Sequence, residues 1–293
     1  MPNWKSVERA LRKTAENPSF TFAKSIAQFG GCIHQSFIIE GNDHSQFFVK
    51  TAQPNQAESF QSESLALKEI IASKSIRVPH PITTCVDSQF AYLVLEHIEL
   101  FPSGDDAIQG RQLAALHQTT QSHFGWGQNN VIGSSPQPNP LTPDWIDFFR
   151  EHRLIHQFEL SKKRGIHYQN TDALLEALPS FFMNYKPIPA LLHGDLWAGN
   201  AAFDKGGKPV FFDPATYYGD READIAMTRL FGGFSPSFYQ AYHKIFPLAS
   251  GHRERFQLYN LYHLLNHEYL FGGYGAQAQE IINHLGSVQI KRR

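Results

Sequence analysis

The sequence predicts an α+β protein in two parts: a small five-stranded antiparallel sheet with one helix, then a larger, mainly helical part that carries a short hairpin. Three observations predict it. Up to about residue 96, short apolar runs alternate with turns rich in Gly, Asn and Asp. Beyond that point apolar residues recur at helical spacing. Among those helices, AAF and PVFF flank the turn residues Asp204-Lys205-Gly206-Gly207, which reads as a hairpin.

Taken in order, MPNWKSVERALRKTA reads as an amphipathic helix with Trp4, Val7, Leu11 and Ala15 at helical spacing. SIAQF, HQSFIIE and QFFVKTA read as a three-strand meander, broken at Gly30-Gly31 and at Gly41-Asn42-Asp43. A helix over 56–73 presents Phe60, Leu65, Leu67, Ile70 and Ile71 on its apolar face. PITTCV and FAYLVLEHI flank Asp87-Ser88 and complete the five strands. Helical periodicity then covers 107–119, 143–162, 171–184, 221–230, 237–246, 253–270 and 277–285. The polar connection 121–142 is longer than ordinary loops, which predicts either a functional loop or one packed as an ordered Ω-type loop. The change of pattern places the domain boundary between residues 96 and 97, giving domains 1–96 and 97–293.

Composition narrows the function classes. The chain has 293 residues, 42% hydrophobic and 18% charged, an ordinary globular balance. A net charge of -1 gives no broad attraction to nucleic acid or anionic membrane, so neither is expected as a partner. The N-terminus lacks the apolar core of a signal peptide, and no apolar run reaches membrane-span length. Two cysteines, Cys32 and Cys85, make no disulfide framework, and a reducing cytoplasm is the expected setting. There is no HExxH and no paired CxxC to point to a structural metal.

The chemistry concentrates in HGDLWAGN (193–200) and FFDPA (211–215). Either fragment alone is an ordinary turn, since Asp and Asn favour turns. Their order is more specific. Asp195 and Asn200 form an H-x-D-x-x-x-x-N run, and Asp213 follows across the hairpin. Phosphoryl transfer from ATP needs a carboxylate facing the acceptor hydroxyl, plus an amide and a second carboxylate on Mg²⁺. A strand-borne Lys50 in FFVK can reach phosphates, with a carboxylate on the next helix to orient it. Glu63, thirteen residues on, suits that role, although Glu58 and Glu69 share the helix. Gly30-Gly31 lies where a loop would cover the phosphates, or is simply a turn. The run 93–98 joins the two parts, and its backbone groups can bind an adenine edge. Asp224 opens an amphipathic helix, where it can accept amides from the catalytic loop.

With these residues in view, the chain resembles the fructosamine kinase (ketosamine-3-kinase) family, of the clan of aminoglycoside phosphotransferases and choline kinases. The likeness runs through FGGCIHQSF, FVK, FQSE, LAALHQ, NNVIG, PQPN, DWIDFFREHRL, HGDLWAGN, DPATYYGDREADIAM and LYHLLNHEYLFGGYG. The resemblance implies a bilobal protein kinase-like fold and MgATP-dependent phosphorylation of O3 on a ketosamine such as fructosamine or ribulosamine, promoting deglycation. It implies Asp195 as catalytic base, Asn200 and Asp213 on Mg²⁺, Lys50 on phosphate and Glu63 orienting Lys50. It also implies Gly30 and Gly31 over the phosphates, with Glu96 and Ile98 presenting backbone groups to adenine.

Trp197 either walls the substrate pocket or anchors the loop in the core. Cys32, in the glycine loop, is either an oxidisable thiol that links a homodimer or a small buried apolar residue. The protein is accordingly expected as a monomer or a redox-linked homodimer. DFG is replaced by DPA and no activation loop is evident, which favours a small or flexibly tethered acceptor. Another small-molecule kinase of the same clan is the alternative, because the general catalytic residues serve every acceptor alike. A pseudokinase would lack one of Lys50, Asp195, Asn200 or Asp213, and all four are present.

Overall fold

The computed structural model describes residues 2–28 and 34–287. The chain divides into two compact units, Met1–Asp105 with Ala202–Pro214, and Asp106–Ala201 with Ala215–Arg293.

The first unit opens with α1 (Trp4–Leu11) and continues through β1 (Phe22–Gln28), β2 (Gln35–Gly41), β3 (Gln46–Ala52), α2 (Ala57–Ser73), β4 (Pro81–Val86) and β5 (Ala91–Glu96). The five strands form one antiparallel sheet in the order β1-β2-β3-β5-β4. Period two along β3 separates its faces. Phe47 and Val49 point into a core with Val7 and Leu11 of α1 and Phe20, Ile39, Tyr92 and Val94. Lys50, between Ser36 of β2 and Leu93 of β5, points the other way, where α2 supplies its partner.

Both helices of this unit differ in detail from the sequence reading. Helix α1 stops at Leu11, because the Thr14 hydroxyl bonds the Leu11 carbonyl at 2.7 Å and Pro18 follows; Ala15 lies beyond it. On α2, Leu65 is 44% exposed, and the buried face is completed by Ser62, Ser64 and Ala66 instead.

The hairpin strands β9 (Ala201–Phe203) and β10 (Pro209–Phe211) pair with each other. Asp204 closes their turn, its Oδ1 accepting the amides of Gly206 at 2.8 Å and Lys208 at 3.0 Å. Phe101 and Phe203 exchange backbone bonds of 2.8 and 2.9 Å, and the Arg77 carbonyl accepts the Phe211 amide at 3.0 Å. These bonds tie residues 202–214 to the first unit despite their distance in sequence.

In the second unit, α3 (Asp106–Leu116) precedes the connection 121–142, which contains the strand pair β6 (Asn130–Ile132) and β7 (Ser135–Gln137). The loop is ordered, as expected; the strand pair within it went unread. Asn130 donates to the Thr216 carbonyl at 2.8 Å and Gln137 to that of Ala215 at 3.0 Å, so the loop braces residues 215–216. Next come α4 (Trp145–Phe149), a π-helical stretch (Arg150–Ile155) and α5 (His156–Lys163). Helix α6 (Thr171–Ala177) ends earlier than periodicity implied, giving way to a 3₁₀ turn over Leu178–Phe182, because Pro179 cannot donate to an α-helical ladder. After β8 (Ala190–Leu191) and β11 (Tyr218–Gly219), which pair with each other, come α7 (Glu222–Leu230), α8 (Pro236–Ile245), α9 (His252–Phe271) and α10 (Gly275–Ser287). Leu258, Leu261, Leu264 and Leu265 of α9 are fully buried, making it the unit's central helix. Among the described residues no helix is long and apolar enough to cross a membrane.

Candidate active site

The loop 193–200 follows β8 and is held from beneath by α7. Asp224 Oδ2 accepts the His193 amide at 2.7 Å, and Oδ1 accepts the Gly194 amide at 2.9 Å. His117 Nε2 lies 3.1 Å from Oδ2, and its Nδ1 lies 2.8 Å from the Tyr242 hydroxyl. Burial alone would raise the Asp224 pKa; the contact with His117, the positive field of the neighbouring histidines and the loop amides outweigh it and hold the carboxyl below its usual range. Gly194 takes φ 85°, and a Cβ there would collide with the Ala215 carbonyl, so glycine is required at this turn.

Asp195 is half-buried. Asn200 donates its Nδ2 to the Asp195 carbonyl at 2.8 Å and to Oδ2 at 3.2 Å, which leaves the amide oxygen Oδ1 as its remaining acceptor. Trp197 is 36% exposed. Its ring lies against Gly199 and meets Phe231 edge-on at 6.4 Å. Phe231 in turn contacts His267 at 4.7 Å and Tyr274 at 6.0 Å. Asn200 immediately precedes β9.

In the first unit, Lys50 Nζ donates to Glu63 Oε1 at 2.6 Å and to Asp213 Oδ1 at 2.7 Å. The Lys50 side chain is 7% exposed, Glu63 13% and Asp213 46%, so the pair between β3 and α2 is dry and the third member is half in solvent. Burial opposes the Lys50 charge, yet Asp213 and Glu63 together raise its pKa. Burial pushes Glu63 up, with the Asp213 charge adding to it against the pull of Lys50. Of the three glutamates on α2, Glu63 is the one that meets Lys50. Asp213 takes φ 58°, a left-handed conformation uncommon outside glycine that Asp tolerates better than most residues. His34 packs on Phe60 at 5.0 Å; its pKa is lowered to about 4 by burial and then by the Lys50 charge.

At the end of β5 the Glu96 amide bonds the His80 carbonyl at 2.8 Å. Its carboxylate accepts Arg77 Nη2 at 2.7 Å and the His80 amide at 3.2 Å. Ile98, just past the strand, is half-buried. Gly30, Gly31 and Cys32 lie outside the described residues. Cys85 is a free thiol, pushed up to about 11 by burial.

Taken singly, the amide oxygen of Asn200 and the carboxylate of Asp213 are hard oxygen donors of the kind that Mg²⁺ accepts. Among the described residues there is no cluster of three or more His, Cys, Asp or Glu that would form an all-protein cage.

A family model for fructosamine kinases matches residues 3–287. The chain belongs to the fructosamine kinase family. It is 44% identical over 283 residues to the probable ketoamine kinase of Synechocystis sp., covering 95% of each chain. It is 40% identical over 262 residues to the chloroplastic protein-ribulosamine 3-kinase of Arabidopsis thaliana, covering 87% of this chain and 80% of that one. The crystal structure of a candidate fructosamine-3-kinase from Haemophilus somnus superposes with a TM-score of 0.90 at 28% identity, covering 96% and 97%. At the level of fold alone, the likeness extends to aminoglycoside phosphotransferase APH(4)-Ia in complex with ADP and hygromycin B, with a TM-score of 0.64 at 13% identity, covering 91% and 94%. The fold is therefore the protein kinase-like one of the phosphotransferase clan.

Within this fructosamine kinase family member, three residues of the two clusters escaped sequence reasoning. His34 stood in a recognised segment, three residues after Gly31 in sequence, and its position just before β2 was the available signal. His117 stood in LAALHQ with nothing local to mark it, since its partner Asp224 is far along the chain. Arg77 lies in a stretch with no motif, and only the folded structure gives it partners, a β-bridge to Val210 among them.

Proposed function

We propose that this protein transfers the terminal phosphoryl group of ATP to the O3 hydroxyl of a ketosamine, the rearranged adduct of a sugar with an amine. Its family makes it a phosphotransferase with an alcohol acceptor, and the finer reading rests on the two clusters just described. Asp195 accepts a hydrogen bond from the acceptor hydroxyl and takes its proton late in transfer. Asn200 and Asp213 supply oxygens for Mg²⁺, which when bound neutralises charge developing on the phosphates. Lys50, oriented by Glu63, contacts phosphate. The backbone at Glu96 and Ile98 receives adenine. The exposed ring of Trp197 packs on the sugar or its ammonium-bearing arm.

The observation that carries this reading is the pair of bonds from Asn200 Nδ2 to Asp195, at 2.8 and 3.2 Å. They hold the carboxylate at a defined angle while leaving the amide oxygen for a cation. A phosphate on O3 destabilises the adduct, which then falls away and frees the amine. The function is thus deglycation, in a cytoplasmic setting.

The test is an acceptor panel of ribulosamine, erythrulosamine and fructosamine adducts, choline, and an aminoglycoside, with ATP consumption and product mass followed together. Phosphorylation of ketosamines alone supports the reading. Phosphorylation of choline or the aminoglycoside in their place moves the protein to another branch of the clan.

A further inference from the structure

Arg77 makes three bonds that converge on the nucleotide-binding elements of the first unit. Its Nη2 donates to Glu96 Oε1 at 2.7 Å, its Nη1 donates to Asp204 Oδ2 at 3.0 Å, and its own carbonyl accepts the Phe211 amide at 3.0 Å. Each carboxylate is oriented before the guanidinium reaches it. Glu96 Oε2 is taken by the His80 amide, and Asp204 Oδ1 by the amides of Gly206 and Lys208. Each therefore turns its second oxygen to the arginine. A planar fork can serve two acceptors at once in fixed directions, which a single ammonium cannot.

The two carboxylates stand at different ends of the nucleotide under the reading above. Glu96 closes β5, where adenine is received. Asp204 turns the β9–β10 hairpin, and Asp213, two residues past β10, carries phosphate-side chemistry. Phe211, bonded to the Arg77 backbone, lies two residues before Asp213. We infer that Arg77 is a positioning residue for ATP, setting the spacing between the adenine-binding strand end and the hairpin that presents Asp213. This rests on the assignment of ATP to the first unit. The Arg77 side chain is 43% exposed, so its bonds are worth little as bulk stabilisation, and their effect falls on geometry.

The test compares Arg77→Gln, Arg77→Lys and Asp204→Asn with wild type by calorimetric binding of MgADP and of adenosine. Adenosine engages only the adenine end, whereas MgADP must satisfy both. The expected result is a loss of about fivefold in MgADP affinity in all three variants. Adenosine affinity and melting temperature stay near wild type, and Arg77→Gln combined with Asp204→Asn loses no more than either alone. In turnover the ATP KM rises while the ketosamine KM holds. An unchanged ratio of MgADP to adenosine affinity in Arg77→Gln overturns the inference and leaves the ATP reading standing. Failure of wild type to bind MgADP overturns the ATP reading itself, and the inference with it.

Discussion

Asp224 accepts the amides of both His193 and Gly194, at 2.7 and 2.9 Å, one on each carboxylate oxygen. A single buried side chain on α7 thereby fixes the backbone immediately before Asp195. Asp224→Asn replaces one acceptor with a donor and leaves a buried amide facing another N–H. A destabilisation of roughly 2–4 kcal/mol is expected in chemical denaturation. The turnover number is expected to fall about a hundredfold, since small displacements of a catalytic group are costly. Turnover at the wild-type rate in Asp224→Asn would separate the loop from its anchor.

Lys50 stands between two carboxylates, one of them buried within α2. Lys50→Met leaves Glu63 without a cation in a dry environment, which is strongly destabilising when one partner alone is removed. Adding Glu63→Gln is expected to restore most of the lost melting temperature and none of the activity, which stays about a hundredfold or more below wild type. Parallel recovery of stability and activity in the double variant would show that Lys50 serves the fold alone.

Asp220 accepts hydrogen bonds from the Tyr185 hydroxyl at 2.7 Å, the Tyr259 hydroxyl at 2.5 Å and the Glu222 amide at 3.0 Å. Burial, and then the Glu222 charge, raise its pKa from 3.8 to about 6 against the pull of these bonds. Between those values the folded state holds a proton that the unfolded state has released. Stability from this group is therefore greatest below pH 4 and declines as pH rises toward 6, by at most roughly 3 kcal/mol. Asp220→Asn removes the titration. Urea midpoints of wild type and variant between pH 4 and 7 are expected to diverge in slope over that window, and parallel curves would count against the buried charge.

Trp197 is exposed enough that its loss spares the core. Trp197→Ala is expected to raise the ketosamine KM about fivefold to tenfold, with Trp197→Phe in between, because a ring face contributes on that scale to holding an ammonium. Melting temperature and ATP KM are expected to hold. Steady-state kinetics with each substrate varied in turn decide it: an unchanged ketosamine KM would leave the ring a loop anchor.

What the sequence made legible follows from where the signal is local. Strands β3 and β4 fall on the residues read for them, because QFFVKTA and PITTCV combine strand-forming residues with clear turn boundaries. Strand β1 begins at Phe22, three residues before the run that marked it, because this edge strand is mostly exposed and held by backbone bonds to β2. Ile26 is 52% exposed and so carried a misleading apolar cue. The pairs Lys50 with Glu63 and Asp195 with Asn200 could be read because each spacing is short and the residue types are chemically specific, whereas the Lys50–Asp213 bond spans 163 residues and was not foreseen. The Arg77 fork, the His117–Asp224 contact and the bracing of residues 215–216 by Asn130 and Gln137 join positions remote in sequence. No periodicity or motif marks such pairs, so they become readable only when the chain is folded.

The most direct measurement is phosphoryl transfer from MgATP to a ribulosamine by wild type and Asp195→Asn, followed by phosphorus NMR of the product, with MgADP affinity measured alongside. Wild type is expected to place phosphate on O3. The variant is expected to lose about a thousandfold in rate while binding MgADP nearly as well, since only the base has gone. Transfer by Asp195→Asn near the wild-type rate, or wild-type transfer to choline with none to the ribulosamine, would contradict the assignment.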